Sequence, residues 1–286
     1  DIPFRLVVSN NFLERRNLMK NQLEVSKTRK LKCFPQRWKN DGVECFLCDN
    51  VGQAKDVGDN LILPFETFES YILVPNRYPA VRGHSLLVAK SHDESEEKSG
   101  PMENSRYLEN IVEVCNKYHF SMGRNHARAG MSIPNHEHVH LLPRTVGSKV
   151  EGEFTIYAFS EMDLIPTNTN GVFDLSKTRF DTKAFLGGDN MQPLFRVIKK
   201  LESERIIFLL SYDASIKHQG AFYLTPCKSA HLQNEGSKLD SRVSGGPGYN
   251  VAIPQSEKFS YQKHIRFLEE NIFLKKEFLW NRYREL

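Results

Sequence analysis

The chain has no apolar stretch near the roughly 20 residues that a membrane-spanning helix needs. Its longest apolar runs are short, such as RIIFLLSY in the 205–212 region. Its opening, DIPFRLVVSNNF, lacks the basic start and small-residue cleavage site of a signal peptide. Cysteine is scarce: Cys33, Cys45, Cys48, Cys115 and Cys227 make five, an odd number with one close pair. That is not the pattern of a secreted disulfide framework, and it points to a reducing, cytoplasmic setting. A dominant charge is also lacking. Lys and Arg total 39 against 35 Asp and Glu, a formal net charge of +4 without a dense basic block. Anionic small ligands therefore fit at least as well as nucleic acid, and neither a membrane nor a nucleic-acid partner is expected. What remains is an ordinary globular composition, 40% hydrophobic and 26% charged over 286 residues, enough for one large domain or two small ones.

Turn signals divide the chain into elements. Residues 10–31 read as a helix, and 37–60 are turn-rich and hold Cys45-Phe-Leu-Cys48. LILPFETFESYILVPNRYPAVRGHSLLVAK (61–90) alternates apolar runs with turn residues, which predicts strands near 61–67, 70–75 and 85–89. SHDESEEKSG is a charged, solvated loop. In residues 102–119, Leu108, Ile111, Val112, Cys115 and Tyr118 recur at helical spacing. FSMGRNH and HEHVHLLPR follow as strands, joined by the ARAGMSIPN loop. Strand, strand, helix, strand, strand with short links predicts an α+β fold on a mainly antiparallel sheet. Beyond 160, IPTNTNG reads as a linker or loop and residues 182–204 as a helix. RIIFLLSYDAS and GAFYLTPCKS read as strands, LDSRVSGGPGYNVAIPQ as a Gly-rich turn into a strand, and 256–280 as a long terminal helix. The expected division is 1–160 and 161–286, with no exact internal repeat, although the second part could repeat the helix-then-strands theme of the first.

Within IPNHEHVHLLPR (133–144), His136, His138 and His140 stand at every second position. In a strand that spacing puts all three imidazoles on one face and Glu137, Val139 and Leu141 on the other. Three histidines are poor core material unless hydrogen-bonded. Metal ligation and nucleophilic catalysis are the two functional readings, beside a polar strand face with chance histidines. The H-E-x-x-H zinc-protease motif does not apply, because it needs helical spacing.

HEHVHLLPR resembles the signature of the histidine triad superfamily, His-φ-His-φ-His-φ-φ, with Glu137 at the first apolar position. NRYPAVRGHSLLVAKSH (76–92) is similar to that superfamily's Asn-x-x-Pro-x-x-x-Gly-His-x-Leu-Val-x-Pro-x-x-His segment, with Ala89-Lys90 where Pro-Lys is usual. AGMSIPNHEH resembles the Gly-x-Ser-x-Pro-Asp-His-x-His turn of its galactose-1-phosphate uridylyltransferase and dinucleoside polyphosphate phosphorylase branch. The likeness covers residues 43–146, about a third of the chain. It implies a triad-like antiparallel sheet with flanking helices. It also implies a nucleotide substrate and a nucleotidyl-histidine intermediate on His138, with His140 at the phosphate oxygens. By the same resemblance Ser132, Asn76 and Arg144 bind substrate. Taken alone, Ser132 reads equally as a turn cap and Arg144 as a solvated or ion-paired side chain. Members of the superfamily often dimerise, so a second copy of the chain is a further expected partner.

One C-x-x-C supplies half of a tetrahedral zinc site, and no thioredoxin-like pattern surrounds it here. The resemblance implies the other half: His92 and His136 join Cys45 and Cys48 around a structural Zn²⁺. Length, turn and cysteine pair fit the transferase branch, which has two triad-like halves. The second half here has no histidine triad and would be degenerate. His140 is a departure, since transferases and phosphorylases usually carry glutamine there and hydrolases carry histidine. The resemblance thus implies a nucleotidyltransferase or phosphorylase cleaving a dinucleoside polyphosphate or nucleotide sugar. The alternatives are a hydrolase using water or a non-catalytic nucleotide-binding protein, and a DNA-end-processing enzyme fits the weak charge less well.

Overall fold

A computed structural model describes residues 5–8, 47, 66–76, 84–90, 105–124, 136–143, 153–154, 163–176, 181–188, 191–213, 220–227 and 250–253. Among these residues, ten strands form one antiparallel sheet and two helices lie against it, which is the α+β architecture expected from the sequence. The strands are β2 (Glu66–Thr67), β3 (Tyr71–Pro75), β4 (Ser85–Ala89), β5 (Phe120–Arg124), β6 (His138–Pro143), β8 (Leu164–Pro166), β9 (Val172–Leu175), β10 (Lys183–Leu186), β11 (Ile207–Asp213) and β12 (Ala221–Cys227). A separate small sheet pairs β1 (Arg5–Val8) in parallel with β13 (Asn250–Ile253) and antiparallel with β7 (Glu153–Phe154). The predicted helices at 10–31 and 256–280 lie outside the described residues. No helix among the described residues is long and apolar enough to cross a membrane.

Strands such as YILVP, SLLVA and AFYLTPC are nearly continuous apolar runs because both of their faces are buried. Helix α1 (Ser105–Tyr118) buries Tyr107, Leu108, Ile111, Val114 and Cys115, a stripe at helical spacing. Helix α2 (Gln192–Ser203) starts with Pro193 in its first turn, where a missing N–H costs nothing. It buries Leu194, Val197, Ile198 and Leu201. One core joins both helices to one face of the sheet, including Leu87, Val139, Leu141, Met122, Leu210, Tyr212 and Phe222.

One expectation is narrowed and one corrected. Of the linker or loop read for IPTNTNG, the loop holds: the segment ends β8 and turns the hairpin into β9. The Thr167 hydroxyl donates to the Val172 carbonyl at 2.8 Å, and Gly171 adopts φ 79°, which favours glycine. Residues 182–204 are not one helix, because Gly187-Gly188 ends strand β10 before α2 begins. Three or four apolar residues carry too little periodicity to separate strand from helix.

The strand order is β2-β3-β4-β6-β5-β11-β12-β10-β9-β8. Read inward from either edge, the same sequence of elements appears. Three strands lead to a helix, the strand after the helix takes the centre, and the next strand inserts beside it. The two centres, β5 and β11, pair antiparallel with Arg124 opposite Leu210. Each helix is followed by a left-handed residue that is not glycine, His119 (φ 56°) and Arg205 (φ 57°). After α2 the Ile206 N–H bonds the Leu201 carbonyl at 2.8 Å and the Arg205 N–H bonds Glu202 at 2.9 Å, a Schellman closure.

Leu210 is fully buried at the seam. Leu210→Ala should lower the unfolding free energy by about 2–5 kcal/mol, measured by denaturant titration. A loss below about 1 kcal/mol would contradict tight packing there.

Candidate active site

Strand β6 lies between β4 and β5, with His138 opposite Val88 and His140 opposite both Leu86 and Gly123. Because directly opposed residues share a face, His138 and His140 stand on the face away from the helices, as the two-residue spacing predicts. Glu137, Val139 and Leu141 turn to the core side. All three triad histidines are buried, so each ring needs a polar partner.

Each has one. The His138 Nδ1–H donates to the His136 carbonyl at 2.7 Å. Burial holds His138 below the ordinary histidine value, although that hydrogen bond and the nearby Glu137 carboxylate pull the other way. A neutral ring with its proton on Nδ1 carries its lone pair on Nε2. His140 Nδ1 lies 3.0 Å from Nε2 of His84, which immediately precedes β4. The Asn76 amide nitrogen is 3.1 Å from the same His84 nitrogen. The Asn76 N–H also donates to the His84 carbonyl at 2.9 Å. Asn76, expected at the substrate, is thus tied to His140 through His84. The rings of His138 and His140 meet edge-on at 5.5 Å between centroids.

His136 donates from Nε2 to the Ala89 carbonyl at 2.6 Å. A metal-bound imidazole commonly spends its second nitrogen this way, so Nδ1 would be the ligating atom. His136 is the single member of the expected zinc set among the described residues. Cys45, Cys48 and His92 lie outside them, as do Ser132 and Arg144.

On the core side, Glu137 accepts two bonds from one guanidinium: Arg124 Nε to Oε1 at 2.7 Å and Nη2 to Oε2 at 2.9 Å. The Tyr107 hydroxyl donates to Oε1 at 3.3 Å, and the Tyr71 ring stacks on Tyr107 at 4.3 Å. Burial works against the Arg124 charge, but Glu137, together with Tyr107 and Glu202, holds the guanidinium above its ordinary value. Burial first, and Glu137 second, push the Tyr107 phenol well above its own.

His84 was not among the residues singled out from the sequence, although it is the histidine of Gly-His-x-Leu-Val. Arg124 was read only as part of a strand. Nothing in FSMGRNH signals that this arginine is buried.

No protein-family model matches the chain, and no curated protein matches its sequence. Among solved structures, yeast Ap4A phosphorylase Apa2 superposes with a TM-score of 0.43 at 13% identity over 72% of each chain. Its complex with AMP gives 0.44 at 12% over 78% of this chain and 77% of that one. Its complex with Ap4A gives 0.45 at 12% over 81% and 78%.

The His138 tautomer can be measured directly. Nitrogen-15 NMR at neutral pH should show its proton on Nδ1; a proton on Nε2 would contradict the bond to the His136 carbonyl.

Proposed function

We propose that the chain is a nucleotidyl-transferring enzyme of the histidine triad superfamily in which His138 is the nucleophile. The observation that carries this is the buried His138 whose Nδ1–H is held by the His136 carbonyl, in surroundings that disfavour the charged ring. Such a ring offers Nε2 to an electrophilic phosphorus without first losing a proton. In the first step Nε2 forms a bond to the phosphorus of a phosphoanhydride next to a nucleoside. The bond from that phosphorus to the bridging oxygen breaks, and the leaving phosphate or nucleotide departs with the electron pair. In the second step an acceptor oxygen attacks the same phosphorus and the P–N bond breaks, restoring His138. His140 would steady the phosphate oxygens through Nε2. Its other nitrogen meets His84, which Asn76 holds, so the ring is oriented before substrate arrives. Ser132 and Arg144 complete the phosphate contacts in this reading, and the substrate is a dinucleoside polyphosphate or a nucleotide sugar.

The second half, 161–286, reads as a degenerate copy of the catalytic half, 1–160. Counting from His119 and Arg205, Gly123 and Leu209 occupy matching positions. Their partners are His140 and Thr225. By that match Tyr223 stands where His138 stands, and no histidine replaces either. A structural Zn²⁺ on Cys45, Cys48, His92 and His136 would tie the segment before β6 to the N-terminal region. The His140 imidazole, where transferases usually carry glutamine, favours one second reading, a hydrolase with water as acceptor.

Dinucleoside polyphosphates and nucleotide sugars, each run with and without inorganic phosphate, separate these outcomes. A nucleoside diphosphate released only with phosphate means phosphorylase; a monophosphate released in plain buffer means hydrolase. His138→Ala should remove turnover, and more than a few per cent of residual activity would overturn the mechanism. Binding without turnover of any compound would leave a nucleotide-binding protein instead. Protein purified without chelator should hold one zinc per chain, and less than about 0.2 would contradict the zinc set.

A further inference from the structure

We infer that Arg124, Glu137 and Tyr107 form a positioning clamp that sets the His138 nucleophile from the opposite face of the sheet; this rests on the nucleotidyl-transfer reading above. Regular β6 pairing begins at His138, and β5 ends at Arg124. Residues 136 and 137 therefore lie just beyond the ladder, yet the His136 carbonyl is the group that orients His138. Something other than strand pairing must hold that peptide. Two bonds come from β4: the Ala89 N–H donates to the Glu137 carbonyl at 3.0 Å, and Ala89's own carbonyl receives the His136 ring at 2.6 Å. On the core side the Glu137 side chain is gripped by both arms of the Arg124 guanidinium and by the Tyr107 hydroxyl of α1. The clamp thus joins α1, β5 and the residue between His136 and His138.

Packing alone does not call for this arrangement. The core around it is largely apolar, although Glu202 also acts on Arg124, and a buried ion pair is often no more stabilising than apolar side chains of similar volume. What an apolar pair cannot supply is direction: the two-pronged Arg–carboxylate geometry fixes both distance and angle. Fixing residue 137 fixes the peptide on each side of it, and an ångström of error at a reacting atom costs on the order of 100-fold in rate.

The test separates stability from placement. Arg124→Met and Glu137→Met, made singly and together, are compared with the wild type. Arg124→Met strands part of the Glu137 carboxylate, and Glu137→Met strands both the Arg124 guanidinium and the Tyr107 hydroxyl; each should lower Tm by roughly 10 °C. The double variant, which still leaves the buried Tyr107 hydroxyl without its Glu137 acceptor, should recover part of that Tm, yet keep a kcat loss on the order of 30- to 100-fold with KM within about three-fold. It should also lose or shift the downfield proton resonance of His138 Nδ1–H. A double variant with wild-type Tm, kcat and Nδ1–H resonance overturns the clamp. Arg124→Lys keeps the charge but loses the fork, so it decides the matter if the double variant does not fold. Reduced kcat with a displaced Nδ1–H resonance supports positioning, and wild-type values of both overturn it. Failure of the underlying reading looks different, since a wild type that turns over no nucleotide fails there, whatever the variants do.

Discussion

Strand β6 is buried on both faces, so its two-residue alternation has to serve two incompatible surroundings. One set of side chains, Val139 and Leu141 with Glu137 ahead of them, enters the core beneath α1. The other, His138 and His140, must find polar partners on the far face. A slip of one residue would drive imidazoles into the apolar core and expose apolar side chains to the site. Register is therefore set by burial on both sides at once. β4 and β5 flank the strand, so the register is written into two ladders.

The polar side of that arrangement is built from neighbours that are distant in the chain. His84 reaches His140 across 56 residues, and Ala89 reaches His136 across 47. His84 immediately precedes β4 and Ala89 ends it, so β4 serves as the template against which the triad is aligned. The core side has its own long-range tie in Arg124 and Glu137. Buried charge is costly to strand, and here both carboxylate oxygens are occupied. Beyond β5 the sheet continues without a break into the second half, through the pair Arg124–Leu210. Packing of the second half thus bears on the strand that carries the guanidinium.

How much of this was legible follows from the range of each interaction. The strands at 71–75, 85–89, 120–124 and 138–143 announce themselves as apolar runs between turn residues, and helix 105–118 by its stripe. The triad is legible because its signal is a spacing of two, and a strand converts spacing directly into direction. Segments of three or four residues, Leu164–Pro166 and Lys183–Leu186, span too few periods to declare themselves, and the hairpin turn between β8 and β9 reads only as a linker or loop. His84 sits in a readable motif, but its bond to His140 exists only once β4 and β6 pair. Arg124 was least legible of all, because arginine is seldom fully buried and only the folded neighbour Glu137 makes it so. The sequence suggests only that the second part could repeat the helix-then-strands theme; the strand order itself is carried by topology and by two left-handed residues rather than by sequence identity.

The central claim is chemical: a phosphorus–nitrogen bond forms at one particular ring. The most direct measurement is mass-spectrometric mapping of the peptide spanning 133–144. The protein is first incubated with a dinucleoside polyphosphate or nucleotide sugar and quenched without acid, which spares the phosphoramidate. The expected result is one nucleotidyl group per chain on His138, absent in His138→Ala. A label on His136 or His140, or turnover with no label at all, would contradict it.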